Sequence, residues 1–212
     1  MANFFCVPTR LILTVVALTA TASLSFASTI TFETAPGLNF TGPVTESGYV
    51  YSNLSGFLYV NVLGNPGQDM EGEDDGGGGV LKIVAVGGGD FTLATLDFAA
   101  YDLVGTGSQT LTINGYLGAL LVGTDTYTLA NTNSTISGGY DNWTTESASL
   151  LAGQAISEID IVLNAGHRPN NTNFQEAVDN VVLDAVAPEP ASLVLFGTGS
   201  AVLWFLRRRS KD

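Results

Sequence analysis

In a chain of 212 residues with one histidine and one cysteine, chemistry has few places to start. His167 stands in the polar stretch NAGHRPNNTN. A serine-type triad needs a histidine base. The G-x-S-x-G turn that often presents the serine is absent, and a lone histidine in such a stretch reads as a loop residue. Cys6 lies in an N-terminal apolar segment. Once that segment is removed, no thiol nucleophile, disulfide or zinc–thiolate centre is available. Carboxylates are plentiful and a pair of them could hydrolyse a glycosidic bond, but no spacing singles out two.

Acidic and aromatic clusters are the better leads. The densest acidic stretch is NPGQDMEGEDDGGGGV, residues 65–80, with Asp69, Glu71, Glu73, Asp74 and Asp75. Its alternation imitates the start of an EF-hand loop. Counting from Asp69, however, glycine falls at the fourth position instead of the sixth, and Val80 occupies the twelfth, where a bidentate glutamate belongs. Like charges beside a glycine run read as a solvated loop. Tyr140, Asp141, Asn142 and Trp143 combine ring faces, which stack on sugar C–H groups, with an acid and an amide for hydroxyls. Tyr49, Tyr51 and Tyr59 form a second aromatic group. All of these rings serve equally well as the filling or edge of a β-sandwich.

The elements that must position these residues are strands. TITFET, GVLKIVAVG, FTLATLDFAAYDLVG, SQTLTINGYLG, ISEIDIVLNAG and FQEAVDNVVLDAV show two-residue alternation or short apolar runs punctuated by Gly and Asn. No long stretch repeats every 3.6 residues. ALLVGTDTYTLAN reads as a hairpin turning near Gly123. The pattern predicts an all-β fold, a jelly-roll-like β-sandwich over residues 28–186. Between Ser28 and Ala187 lie 18 acidic residues and only two basic ones, Lys82 and Arg168. A nucleic-acid partner is excluded, because phosphate contacts need cations. Divalent cations are the natural small partners of such a surface.

The two ends read as addresses. Residues 1–27 have an arginine, an apolar core and small residues before Ser28, the layout of a secretory signal peptide. Residues 187–212 contain Pro188-Glu189-Pro190, an apolar run over residues 191–206, and Arg207, Arg208 and Arg209. As a helix the run is about 24 Å long, a short transmembrane helix for a core of about 30 Å. The basic tail would remain cytoplasmic.

This tripartite C-terminus resembles the PEP-CTERM sorting signal. The resemblance implies exosortase as a processing partner, transient anchoring in the membrane, cleavage near Pro188, Glu189 and Pro190, and delivery to the cell surface or medium. It also implies an exopolysaccharide setting. The middle is similar to the β-sandwich of many PEP-CTERM proteins and to galactose-binding-like and carbohydrate-binding jelly rolls. The similarity rests on the opening I-T-F-E, the F-x-L-x-x-L-D-F phrase and the closing Ala177-Val178-Asp179-Asn180-Val181. In those folds the first and last strands pair, which would bring Glu33 and Asp179 together on a structural calcium ion. The expectation is an exported, exosortase-processed, non-enzymatic surface or matrix protein. The alternatives are a calcium-dependent carbohydrate-binding module, with Tyr140, Asp141, Asn142 and Trp143 at its site, and a secreted hydrolase.

Overall fold

Apolar and polar residues alternate through the middle of the chain, and the strands follow that alternation. The computed structural model describes residues 27–37, 39–64, 67–72, 77–102, 108–130, 142–168 and 172–186. The expected signal peptide up to residue 26, the Pro188-Glu189-Pro190 motif, the apolar run and Arg207, Arg208 and Arg209 lie outside these residues, as do Tyr140 and Asp141. Among the described residues, thirteen strands form two sheets.

One sheet runs β10 (Thr144–Ser147), β7 (Phe91–Asp102), β13 (Thr172–Ala185), β5 (Gly67–Gly72) and β4 (Leu58–Gly64). β1 (Ala27–Ile30) and β12 (Ala165–Arg168) also pair with β13. The other sheet runs β2 (Val44–Glu46), β3 (Tyr49–Gly56), β6 (Gly79–Ala85), β11 (Glu158–Leu163), β8 (Ser108–Leu117) and β9 (Leu120–Ala130). Each pairing between these strands is antiparallel. The inner faces meet in one core. Val60, Met70, Phe98, Val178 and Leu183 come from the first sheet, and Tyr51, Leu81, Ile83, Ile113 and Ile161 from the second. Phe32 meets Tyr51 edge-on at 5.2 Å, and Phe40 stacks on Tyr51 at 5.6 Å, the offset arrangements that ring quadrupoles favour.

β1 lies antiparallel to β13, with Ile30 opposite Val181, the pairing that the resemblance implies. Three local expectations are corrected, and one open choice is decided. The acidic stretch is not a loop throughout: Gly67–Gly72 is strand β5, placed between β13 and β4. Its Met70 is fully buried and supplies the apolar anchor. Residues 120–130 form one continuous strand, and the reversal sits at Gly118, whose φ of 60° suits glycine. Of the two roles open to the second aromatic group, Tyr49 and Tyr51 take that of core filling. His167 lies in β12, opposite Asn173 of β13, and not in a loop.

Candidate functional site

The first sheet carries apolar residues on its inner face and an unusual set of acids on its outer one. The inner row crosses four strands as Val60, Met70, Val178 and Phe98. All four are core residues. Since side chains alternate along a strand, the flanking rows must point the other way. One flanking row holds Tyr59, Glu71, Ala177 and Ala99. The other holds Asn61 opposite Asp69, then Asp179 opposite Asp97, then Thr145 opposite Asp97 on its far side. Asp69 and Asp179 are the next residues along β5 and β13 after the paired Met70 and Val178. Three aspartates thus stand abreast on three adjacent strands, with Glu71 two residues from Asp69 on the same face.

These acids are buried: Asp69 is 0% exposed, Asp179 1%, Glu71 2% and Asp97 8%. Burial of an ionised carboxylate is costly without compensation, and the four are compensated unequally. Asp97 accepts from the Thr145 hydroxyl at 2.6 Å and from the Asn180 amide at 2.9 Å. Asp179 accepts from the backbone N–H of Asn180 at 2.7 Å. Asn180 sits at φ 47° where the β13–β7 register shifts. This bulge turns the Asn180 N–H and side-chain amide toward the two aspartates. Both carboxylate oxygens of Asp69 are buried, and the side chain it shares a hydrogen bond with is another acid, Glu71. Burial, followed by the neighbouring charges of Glu71 and Asp179, pushes its carboxyl up to about 9.

Glu33 is exposed, and its Oε1 accepts from the backbone N–H of Gln68 at 2.8 Å. Gln68 immediately precedes Asp69, so the loop after β1 is tied to the start of the acidic row. Asp179 instead faces Asp97 across the sheet and lies beside Asp69. Among the described residues, no three His, Cys, Asp or Glu side chains converge as ligands around a single point. Asn142 donates its side-chain amide to the carbonyl of Ala100 at 2.6 Å and so braces the entry to β10. Trp143 is half-buried beside it. Sequence reasoning named Asp179 but missed the role of Asp69 and Asp97 as its neighbours. The one local signal was the D-M-E alternation around Met70, an acid–apolar–acid pattern with a strand's period.

A second buried acid joins the two sheets. Glu176 of β13 points inward and accepts from the backbone N–H of Thr110 on β8 at 3.0 Å. Its other oxygen accepts from the backbone N–H and the side-chain amide of Asn164, at 2.8 and 3.0 Å. Burial pushes its carboxyl up to about 7, against the opposing effect of these donors. On the other sheet, Lys82 of β6 pairs with Glu158 of β11.

No curated protein sequence matches the chain. Among solved structures, it is similar to a DUF4465 family protein from Bacteroides caccae, at 11% identity and a TM-score of 0.42, over 77% of this chain and 100% of that one. It is also similar to the family 11 carbohydrate-binding module of the cellulosomal cellulase Lic26A-Cel5E of Clostridium thermocellum, at 16% identity and a TM-score of 0.34, over 79% of this chain and 98% of that one. A third similar structure holds the CBM22-1–GH10 modules of the Clostridium thermocellum endo-1,4-beta-D-xylanase 10B with xylohexaose. The identity there is 14% and the TM-score 0.35, over 74% of this chain and 28% of that one. Residues 186–209 match the PEP-CTERM protein-sorting motif, and the chain therefore carries that sorting signal directly behind the last strand of its sandwich.

Proposed function

We propose that this is an exported protein, processed by exosortase and displayed at the cell surface or in the exopolysaccharide matrix, where the sandwich acts without catalysing a reaction. One observation carries the reading. β13 ends at Ala185 and the sorting motif begins at residue 186. Cleavage beside Pro188-Glu189-Pro190 would therefore remove the tail and leave every described strand in place. Until that cut, the apolar run over residues 191–206 anchors the chain, and Arg207, Arg208 and Arg209 hold its end on the cytoplasmic side. The test is expression in an exosortase-bearing bacterium, followed by fractionation and mass measurement. A long membrane form and a shorter released form are expected. Loss of the host exosortase, or Glu189→Ala, should leave only the long form. Release that is indifferent to both changes would sink the reading.

The second reading is a calcium-dependent carbohydrate-binding module. What favours its calcium half is the position of Asp179 among buried carboxylates, with Glu33 tied one residue away from Asp69. In this reading Glu33 and Asp179 share a structural calcium ion, whose preference is for hard oxygen ligands. Tyr140, Asp141, Asn142 and Trp143 line the sugar site. Retention on an exopolysaccharide column should then vanish with Trp143→Ala and with chelator. Unchanged retention in both would reject it.

A further inference from the structure

Large apolar side chains left in water gather at one end of the sandwich. Among the described residues, Val86, Leu117, Leu120, Leu121, Leu150 and Val186 are exposed there, Leu120 and Leu150 by 67% each. Leu54 and Phe57 are the exposed pair at the other end, beside Val80 and Gly79 at the start of β6. Backbone hydrogen bonds tie the first group together. The Val186 N–H donates to the carbonyl of Asp90 at 3.0 Å, Phe91 and Ile156 exchange two bonds of 2.8 Å, and the Ser157 N–H donates to the carbonyl of Tyr116 at 2.7 Å. The Gly118 N–H donates to the Ser157 hydroxyl at 2.9 Å. The tip between β8 and β9, where Leu117 pairs with Leu120 and Tyr116 with Leu121, is thereby fixed at the end where β13 leaves the sandwich.

The leucines are held out by ordered backbone. The buried carboxylate of Asp125 accepts from the backbone N–H groups of Ser149, Leu150 and Leu151, at 2.9, 2.6 and 3.3 Å. The loop so pinned turns Leu151 into the core and Leu150 out to water. It lies against β9, since a Cβ on Gly123 would stand 3.6 Å from the Leu150 carbonyl oxygen. Single exposed apolar residues are ordinary on a protein surface, whereas a cluster of them marks a contact. No residue from Gly115 to Gly123 is charged. The acids near this end are Asp90, Asp184 and Glu158, and Glu158 is paired with Lys82.

From this we infer that the apolar tip docks into the lipid bilayer for as long as the chain is anchored, an inference that rests on the anchored stage of the proposed function. Only residues 187–190 separate Val186 from the apolar run over residues 191–206. Five extended residues reach at most about 18 Å, so the end of the sandwich that carries the leucines is the end tethered near the bilayer. An uncharged, leucine-rich tip suits hydrocarbon, and a domain with 18 acids and two basic residues has little means of gripping anionic headgroups. The tether makes the contact intramolecular, so a patch too small to hold a free domain on a membrane is enough at that effective concentration. Cleavage beside Pro188-Glu189-Pro190 would cut the tether and let the tip go, in keeping with a released product.

The test uses the long membrane form from an exosortase-deficient host, with Cys6→Ser so that no other thiol is labelled. It is reconstituted in phosphatidylcholine vesicles that carry a nitroxide on the acyl chain. An environment-sensitive fluorophore is attached through Leu120→Cys, or through Leu150→Cys should the first variant not fold, and at the far end through Phe57→Cys. Emission from the label at Leu120→Cys should shift to the blue and be quenched by the nitroxide, while the label at Phe57→Cys stays unquenched. Adding Leu117→Glu should lower the docked-to-free ratio by about tenfold, the order expected for withdrawing one leucine from hydrocarbon. A chain that floats with the vesicles yet shows equal quenching at both ends, or none at either, would overturn the docking and leave the anchored stage standing. A blue shift without quenching, together with a cross-linked dimer, would give the tip to a second copy of the chain and overturn the docking as well. A chain that does not float with the vesicles would overturn both.

Discussion

Glu176 shows how much one side chain can carry in this fold. Its carboxylate receives three N–H groups from two partners, one of them on the opposite sheet. Glu176→Gln keeps the shape but turns one oxygen into an NH2 group, which must then face an N–H donor. A loss of about 1–3 kcal/mol is expected for the buried donors left unpaired, and urea denaturation would measure it. The same residue imposes a pH dependence. Burial holds its folded-state pKa at about 7, above the ordinary 4.5 of the unfolded chain. The folded protein therefore binds this proton more tightly. That contribution to stability is whole below about pH 4.5 and disappears as the pH rises through 7. The thermal midpoint of the calcium-free protein should fall across that window, and Glu176→Gln should flatten the fall. A midpoint independent of pH between 4.5 and 7 would show that the proton is not held this way.

At the scale of the element, β5 is the most informative strand. Read locally, Gly67–Gly72 belongs to an acidic, glycine-rich loop. In the fold it lies between β4 and β13, with Met70 paired to Val60 on one side and Val178 on the other. The difference has a measurable consequence. Truncation of a buried methionine costs about 2–5 kcal/mol, whereas truncation in a solvated loop costs close to nothing. Met70→Ala should lower the denaturation midpoint by an amount in the first range. A near-silent Met70→Ala would return the segment to the loop that its composition suggests. β10 is tied down differently, through the Asn142 amide on Ala100 and the Thr145 hydroxyl on Asp97. These polar tethers hold a short outer strand that has few apolar residues of its own.

For the whole molecule, the sorting motif follows directly on the last strand. The sandwich contains its own core and closes with β1 on β13. Removal of residues 187–212 should leave the thermal midpoint within about 2 °C of the full chain, below the shift that a change of 1 kcal/mol produces in a domain of this size, while abolishing membrane association in the fractionation experiment. A large drop in the midpoint would show that the tail is part of the fold.

What the sequence determined on its own was whatever is encoded within a short segment. Strand alternation at Ser108–Leu117 or Glu158–Leu163 is local, because the pleat sets which face each side chain takes. The sorting motif is local in the same sense. Pro188-Glu189-Pro190, the apolar run and the arginines follow one another in a single stretch, and the match to residues 186–209 bears that reading out. Asp179 was legible as part of a closing phrase, but the company it keeps was not. Whether Asp69 lies in a loop or a strand, and whether it meets water or two other carboxylates, depends on β13, more than one hundred residues further along the chain. Only the tertiary structure decided it, because the cost of a charge is set by what surrounds it and not by the residues beside it in sequence.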